Sequence, residues 1–170
     1  MRFNVNTVPG SLSSPVTDVQ DAFDAWNARN PSAPAFTVAA TTTGGVVKAT
    51  PNRHTDVLFG RTSGNALAVT YTWQWSDTGE YESDTVFSNR VAWTEIHNTT
   101  GSGGSDDGCA ENVVAYDLQN IATHEFGHIY GLDHPAGDRY ATMYAYGYTG
   151  ETLKRTLATS DINGIDSLYP

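Results

Sequence analysis

Residues 124–134 read His-Glu-Phe-Gly-His-Ile-Tyr-Gly-Leu-Asp-His, and this short run constrains the fold more than any other part of the chain. On an α-helix, positions four apart differ by about 40° in azimuth and about 6 Å in height. His124 and His128 therefore project side by side from one helix face, with Glu125 at the edge of that face. Gly131 permits a sharp exit from the helix, so that His134 swings back toward the other two imidazoles. Three neutral imidazoles chelate one ion and leave the fourth position of a tetrahedral Zn²⁺ open, as a hydrolytic site requires. A lone helical histidine is usually a packed or solvated residue. Three of the chain's five histidines in metal-ligand register are not explained that way.

The helix carrying the first two histidines is expected to start near Asp117, whose side chain can cap the free amides, and to run through residues 118–130. An earlier helix is expected over residues 16–29, with Ser14 as its cap, Pro15 at the first helical position and Asn30-Pro31 as its stop. Its Val16, Val19, Phe23 and Trp26 form an apolar stripe, and Asp18, Asp21 and Asp24 are expected to face water. Between the helices lies a β-rich middle, with short strands expected at residues 35–39, 56–59, 66–73 and 84–87. The turn Ser76-Asp77-Thr78-Gly79 should join two of them as a hairpin. Residues 101–108, Gly-Ser-Gly-Gly-Ser-Asp-Asp-Gly, read as a solvated loop in preference to a cation site at Asp106 and Asp107. A third helix over residues 161–169 follows the capping candidates Thr159 and Ser160. One helix, several strands, then two helices make a single α+β domain over residues 1–170.

Nineteen acidic residues against nine basic ones leave a net charge of −10, which argues against nucleic acid or an anionic membrane as partner. No run of about 18 apolar residues is present, so no membrane-spanning helix is expected. A chain of 170 residues can fold on a hydrophobic core, and nine Tyr, six Phe and four Trp supply large side chains for it. Cys109 is the only cysteine and has no intrachain disulfide partner. Residues 2–11 lack the charged start and apolar stretch of a signal peptide, so the chain either stays in the cell or comes from a longer precursor.

Nine residues beyond His134, Met143 stands in the run Ala141-Thr142-Met143-Tyr144-Ala145-Tyr146. The extended histidine motif followed by such a methionine turn resembles the metzincin metallopeptidases, and within them the matrixin branch, the catalytic domains of matrix-metalloproteinase type. Residues 117–134 resemble the matrixin active-site helix and Thr142-Met143-Tyr144 its methionine turn. Leu157 with residues 161–169 resembles the closing helix, residues 16–26 the first helix, and Ala66-Leu67-Ala68 the strand over the cleft. The resemblance implies a zincin-like metzincin fold: a twisted five-stranded mixed sheet, three helices and an active-site cleft crossing the face. It implies one catalytic Zn²⁺ on His124, His128 and His134, with Glu125 as general base for the attacking water and Met143 in an apolar floor beneath the imidazoles. It also implies a secreted, monomeric endopeptidase that binds protein or peptide as an extended strand along residues 66–72, with Leu67 and Ala68 in that contact.

The chain departs from the family pattern in several places. Val86 stands where vertebrate matrixins have a histidine ligand for a second, structural zinc, and Ser88 and Val91 stand where calcium-binding acids are found. A single zinc is therefore expected, and Ca²⁺ is left without an assigned ligand set. Ser160 replaces the first of two adjacent aspartates, the one that pairs with the mature amino terminus in the family, and Pro135 follows the third histidine as in serralysins. These departures point to a microbial member. His54 and His97 are expected at the surface, and Tyr144 and Tyr146 as packing or substrate contacts rather than ligands. A specificity pocket for an apolar side chain is expected between the helix around His124 and residues 145–159, with Tyr146, Tyr148 and Leu153 in its wall. Two other readings stand beside this one. One is a serralysin- or astacin-like metzincin of another branch, and the other a non-catalytic zinc-containing binding module. Retention of Glu125 weighs against the second, because a structural zinc needs no base and normally has its fourth position filled by protein.

Overall fold

A computed structural model describes residues 1–41, 48–96 and 113–170, so that His97, Asp106, Asp107 and Cys109 lie outside the described residues. In chain order the elements are β1 (Arg2–Asn4), α1 (Pro15–Asn27), β2 (Ala39–Thr41), β3 (Asp56–Gly60), β4 (Ala68–Gln74), β5 (Tyr81–Ser88), β6 (Trp93–Thr94), β7 (Tyr116–Asp117), α2 (Leu118–Ile129) and α3 (Thr159–Leu168). Single 3₁₀ turns occupy Val5–Thr7 and Leu153–Arg155. Strands β1 to β5 form one mixed sheet in the order β2-β1-β3-β5-β4, parallel except for β4, which runs antiparallel to β5. With three α-helices among the described residues, this is the α+β arrangement of a five-stranded mixed sheet and three helices that the resemblance implies. Strand β4 lies at the sheet edge. Its hairpin to β5 closes through Ser76-Asp77-Thr78-Gly79, where the Gly79 N–H donates to the Trp75 carbonyl at 2.7 Å and Gly79 adopts φ = 75°.

Side chains alternating along the strands put Phe3, Val57, Phe59 and Phe87 into one core with Val19, Phe23 and Trp26 of α1 and Leu118 and Phe126 of α2. Phe23 stacks on Phe126 with ring centroids 3.6 Å apart, and the Trp26 indole N–H donates to the Thr123 carbonyl at 2.8 Å. Helix α1 is thus the bed on which α2, the carrier of His124 and His128, is fixed.

On β5 two buried carboxylates sew the segment before β3 onto the sheet. Glu82 accepts the N–H groups of Asn52 at 2.7 Å and Arg53 at 2.6 Å. Asp84 accepts those of Thr50 and Asp56, both at 2.9 Å. Burial pushes the Asp84 carboxyl up to about 6, against the pull of its two N–H donors.

Several sequence expectations change. The strand expected at residues 35–39 is displaced to β2, and β1, β6 and β7 were not foreseen, because two or three residues are too few to display a period of two. Helix α1 ends at Asn27, short of Arg29, and Ser14 makes no side-chain cap. The Glu95 carboxylate instead holds the chain entering the helix, accepting the N–H groups of Ser13 at 2.9 Å and Ser14 at 2.6 Å. Asp18 is buried, 2 % exposed, in the first turn of α1, where the helix dipole favours a carboxylate. Helix α3 starts at Thr159, two residues early, with the Asp161 carboxylate accepting the Ala158 N–H at 2.8 Å.

Candidate metal centre

Helix α2 begins as expected, the Asp117 carboxylate accepting the Asn120 N–H at 2.8 Å. At its other end Gly131 takes φ = 92°. The Gly131 N–H donates to the His128 carbonyl and the Leu132 N–H to the Gly127 carbonyl, both at 3.0 Å, the paired bonds of a Schellman ending. This ending turns the chain back so that His134, eleven residues along the run that opens with His124, meets the helix again.

The rings of His124, His128 and His134 form a triangle with centroids 4.9 to 5.1 Å apart. One ring nitrogen from each lies within 4.8 Å of the others. The remaining nitrogens of the helical pair are taken: His124 Nδ1 is 2.7 Å from the Thr142 carbonyl and His128 Nδ1 is 2.8 Å from the Leu132 carbonyl. A carbonyl only accepts, so each Nδ1 carries the proton and each Nε2 presents its lone pair inward. His124 Nε2 lies 3.2 Å from His134 Nε2. Burial drives the His124 imidazole down to about 3 and lowers that of His128, which keeps both rings neutral, the form a metal requires. The donor set, its tautomers and its convergence fit a tetrahedral Zn²⁺ with an open position.

The Schellman ending thus supplies the carbonyl that orients His128, and the methionine turn supplies the one that orients His124. The turn is held from α3, where Asp161 accepts the Thr142 N–H at 2.7 Å and the Met143 N–H at 3.0 Å. Met143 is buried against Gly127 of α2, one residue before His128. Asp161 was legible only as part of a helix-like stretch; its hold on the turn was missed.

Glu125 is buried beside His124 and faces the same cleft. The Thr70 hydroxyl from β4 lies 2.8 Å from Glu125 Oε2. Burial pushes the Glu125 carboxyl up to about 7, while the Thr70 hydrogen bond opposes the rise. The sequence reading passed over Thr70, although alternation along β4 puts it on the face opposite Tyr71 and Trp73 and hence toward α2.

The cleft, about 600 Å³, runs between β4 with the residues leading into it and the segment after the methionine turn. Leu67 and Ala68 both border it, and the Leu67 carbonyl accepts the Ser88 N–H at 2.8 Å. Tyr144 and Tyr146 line it too, whereas Tyr148 and Leu153, expected in its wall, do not. Tyr116 and Lys154, not expected there, take part instead. His54 is exposed, and Val86 is buried in the sheet between Leu58 and Val69.

The sequence profile of the matrixin family matches residues 4–170. Among individual proteins, the chain is 42 % identical over 65 residues to an interstitial collagenase of Equus caballus, covering 38 % of this chain and 13 % of that protein. It is 46 % identical over 55 residues to metalloendoproteinase 1 of Glycine max, covering 32 % and 17 % respectively. It is 36 % identical over 64 residues to matrix metalloproteinase-27 of Homo sapiens, covering 38 % and 12 %. The matched stretch thus spans less than a fifth of the length of each of these relatives.

Proposed function

The chain belongs to the matrixin family of peptidases, and from that premise and the geometry of the cleft we propose that it hydrolyses internal peptide bonds as a zinc-dependent endopeptidase. The supporting observation is the convergence of three imidazole nitrogens within 4.8 Å of one another beside a carboxylate that faces the same cleft. His124, His128 and His134 are the zinc ligands in this reading, and Glu125 is the general base. When bound, zinc supplies Lewis acidity toward the scissile carbonyl and makes water acidic enough to be deprotonated near neutral pH.

The chain's own residues do the rest. Thr70 holds Glu125 Oε2 and so fixes the carboxylate that takes the proton of the attacking water and later passes it to the leaving amine. Burial raises the proton affinity of this carboxyl in the metal-free chain, the direction that suits a proton shuttle at neutral pH. Met143 and Asp161 touch no reacting atom; they keep the Thr142 carbonyl where His124 needs it. The edge strand β4 offers its outer side to a peptide in extended form, main-chain hydrogen bonds giving affinity and side-chain pockets giving selectivity. A single domain over residues 1–170, a monomeric state and a place outside the cell belong to the same reading.

The test is metal analysis together with cleavage of an unstructured protein, with and without chelator. One zinc per chain, and cleavage lost on chelation and restored by added zinc, is the expected result. Two tightly bound zincs would contradict the reading of Val86, and cleavage unaffected by chelation would contradict the mechanism.

A further inference from the structure

Lys154 is the least exposed residue bordering the cleft, with 1 % of its surface reaching solvent. Its main chain fixes it in place: the Lys154 N–H donates to Asn120 Oδ1 at 2.7 Å, and its carbonyl accepts the Thr142 hydroxyl at 3.2 Å. The ammonium donates to the Tyr144 carbonyl at 2.7 Å and, at a longer 3.3 Å, to the Thr142 carbonyl, and it lies 5.3 Å from the centre of the Tyr144 ring. An ammonium has three N–H donors, so one has no hydrogen-bond acceptor among the described residues.

Among the described residues no carboxylate lies within ion-pair distance of this cation. The two acids whose charge it feels are Glu151 and Asp161, and both are engaged elsewhere. Asp161 accepts the N–H groups of Thr142, Met143 and Ala158, and Glu151 accepts from Asn120 Nδ2 and the Tyr148 N–H. A cation withdrawn from water without a contacting counter-charge is expensive unless an incoming group completes its shell. A pocket built for aliphatic side chains alone would be served better by Leu or Met at this position.

We propose that the cleft beside the three histidines selects a substrate side chain bearing a carboxylate, glutamate foremost, and that Lys154 is the residue that reads it. The proposal rests on the peptidase reading above and names its substrate class. The methylenes of the side chain lie against the apolar walls, Leu67 and Ile121, and the carboxylate meets the free N–H of the ammonium. The net charge of −10 does not oppose this, because surface charge is screened beyond about 8 Å at physiological salt whereas Lys154 acts by contact.

The experiment gives the zinc-loaded protein a peptide library randomised on both sides of the cleaved bond, followed by kcat/KM for matched peptides carrying Glu, Gln or Leu at the selective position. Glu should exceed Leu by about tenfold or more at one position adjoining the cleaved bond, the scale of one charge-assisted hydrogen bond. Assayed at saturating zinc, because Lys154 also donates to the Thr142 carbonyl that orients His124, Lys154→Met should abolish or reverse that preference, and Lys154→Arg should keep it. Leu peptides cleaved as fast as Glu peptides by the parent overturn the proposal, as does a zinc-loaded Lys154→Met that retains the Glu preference. If Lys154→Met does not fold, Lys154→Gln serves the same comparison, since it keeps a donor for the two carbonyls and drops the charge. Failure of the zinc-loaded parent to cleave any peptide is a different outcome: it overturns the peptidase reading and this proposal with it.

Discussion

Replacing Gly127 by alanine measures how firmly the methionine turn supports the ligand helix. Helix propensity alone favours the change by roughly 1 kcal/mol. The surroundings oppose it. A Cβ at Gly127 would lie 2.1 Å from Met143 Sδ, 2.9 Å from Trp26 Cζ2 and 3.1 Å from Met143 Cε. Met143 can swing its terminal atoms, but it is packed on all sides at 2 % exposure. The Trp26 ring cannot yield, because it is rigid and pinned through its N–H to the Thr123 carbonyl at 2.8 Å. Overpacking typically costs roughly 1–3 kcal/mol, and two close contacts put this site at the upper end, for a net loss of about 2 kcal/mol once propensity is credited. In a chain of this size that lowers Tm by roughly 4–8 °C. Zinc affinity should fall as well, since pushing Met143 moves the adjacent Thr142 carbonyl that orients His124. The assay is thermal and urea unfolding at a fixed free zinc concentration, with Gly127→Ala/Met143→Ala closing a double-mutant cycle. A Gly127→Ala protein as stable as the parent, or additivity in the cycle, would refute the packing argument.

Gly131→Val meets no steric wall, since the nearest atom to its Cβ is Leu168 Cδ1 at 3.7 Å, but it forces a β-branched residue to φ = 92°; zinc should bind more weakly, and unchanged affinity in a competition titration would show that His134 does not depend on this turn. Asp161→Ala releases the N–H groups of Thr142 and Met143 and should weaken zinc binding by roughly 10–100-fold, the usual cost of losing a support behind a metal ligand. Asp84 should titrate near 6 by carboxyl ¹³C NMR, not near 4. Because the folded chain holds this proton more tightly than the unfolded one, the stability it contributes is complete at pH values below about 4 and is lost as pH rises through 6.

The convergence of the three histidines was legible because its information is local. His124, His128, Gly131 and His134 fit within eleven consecutive residues, and helical period plus one glycine suffices to bring three rings together. The hairpin at residues 76–79 and the cap at Asp117 were readable for the same reason. What escaped depends on distant chain segments. Thr70 reaches Glu125 across 55 positions, Glu95 holds the residues leading into α1 from about 80 positions away, and Asp161 holds a turn 18 and 19 residues earlier. No periodicity reports such pairings. Strand β1 escaped because three residues carry too little pattern, although Arg2 anchors it through a two-bond fork to Asp56, both at 2.7 Å. Asp18 was misplaced because helical phase was weighed without the dipole of the first turn.

The central claim is that Glu125 moves the proton while the three histidines hold the metal, and Glu125→Ala tests it most directly. The substitution leaves His124, His128 and His134 in place and removes only the carboxylate facing the cleft. Zinc content by metal analysis and folding by circular dichroism should match the parent. Peptide hydrolysis should fall by about two or more powers of ten, the scale of general acid–base catalysis. The loss should appear in kcat rather than KM, because the carboxylate acts in the transition state. A Glu125→Ala protein that keeps its zinc and cleaves as fast as the parent would contradict the claim.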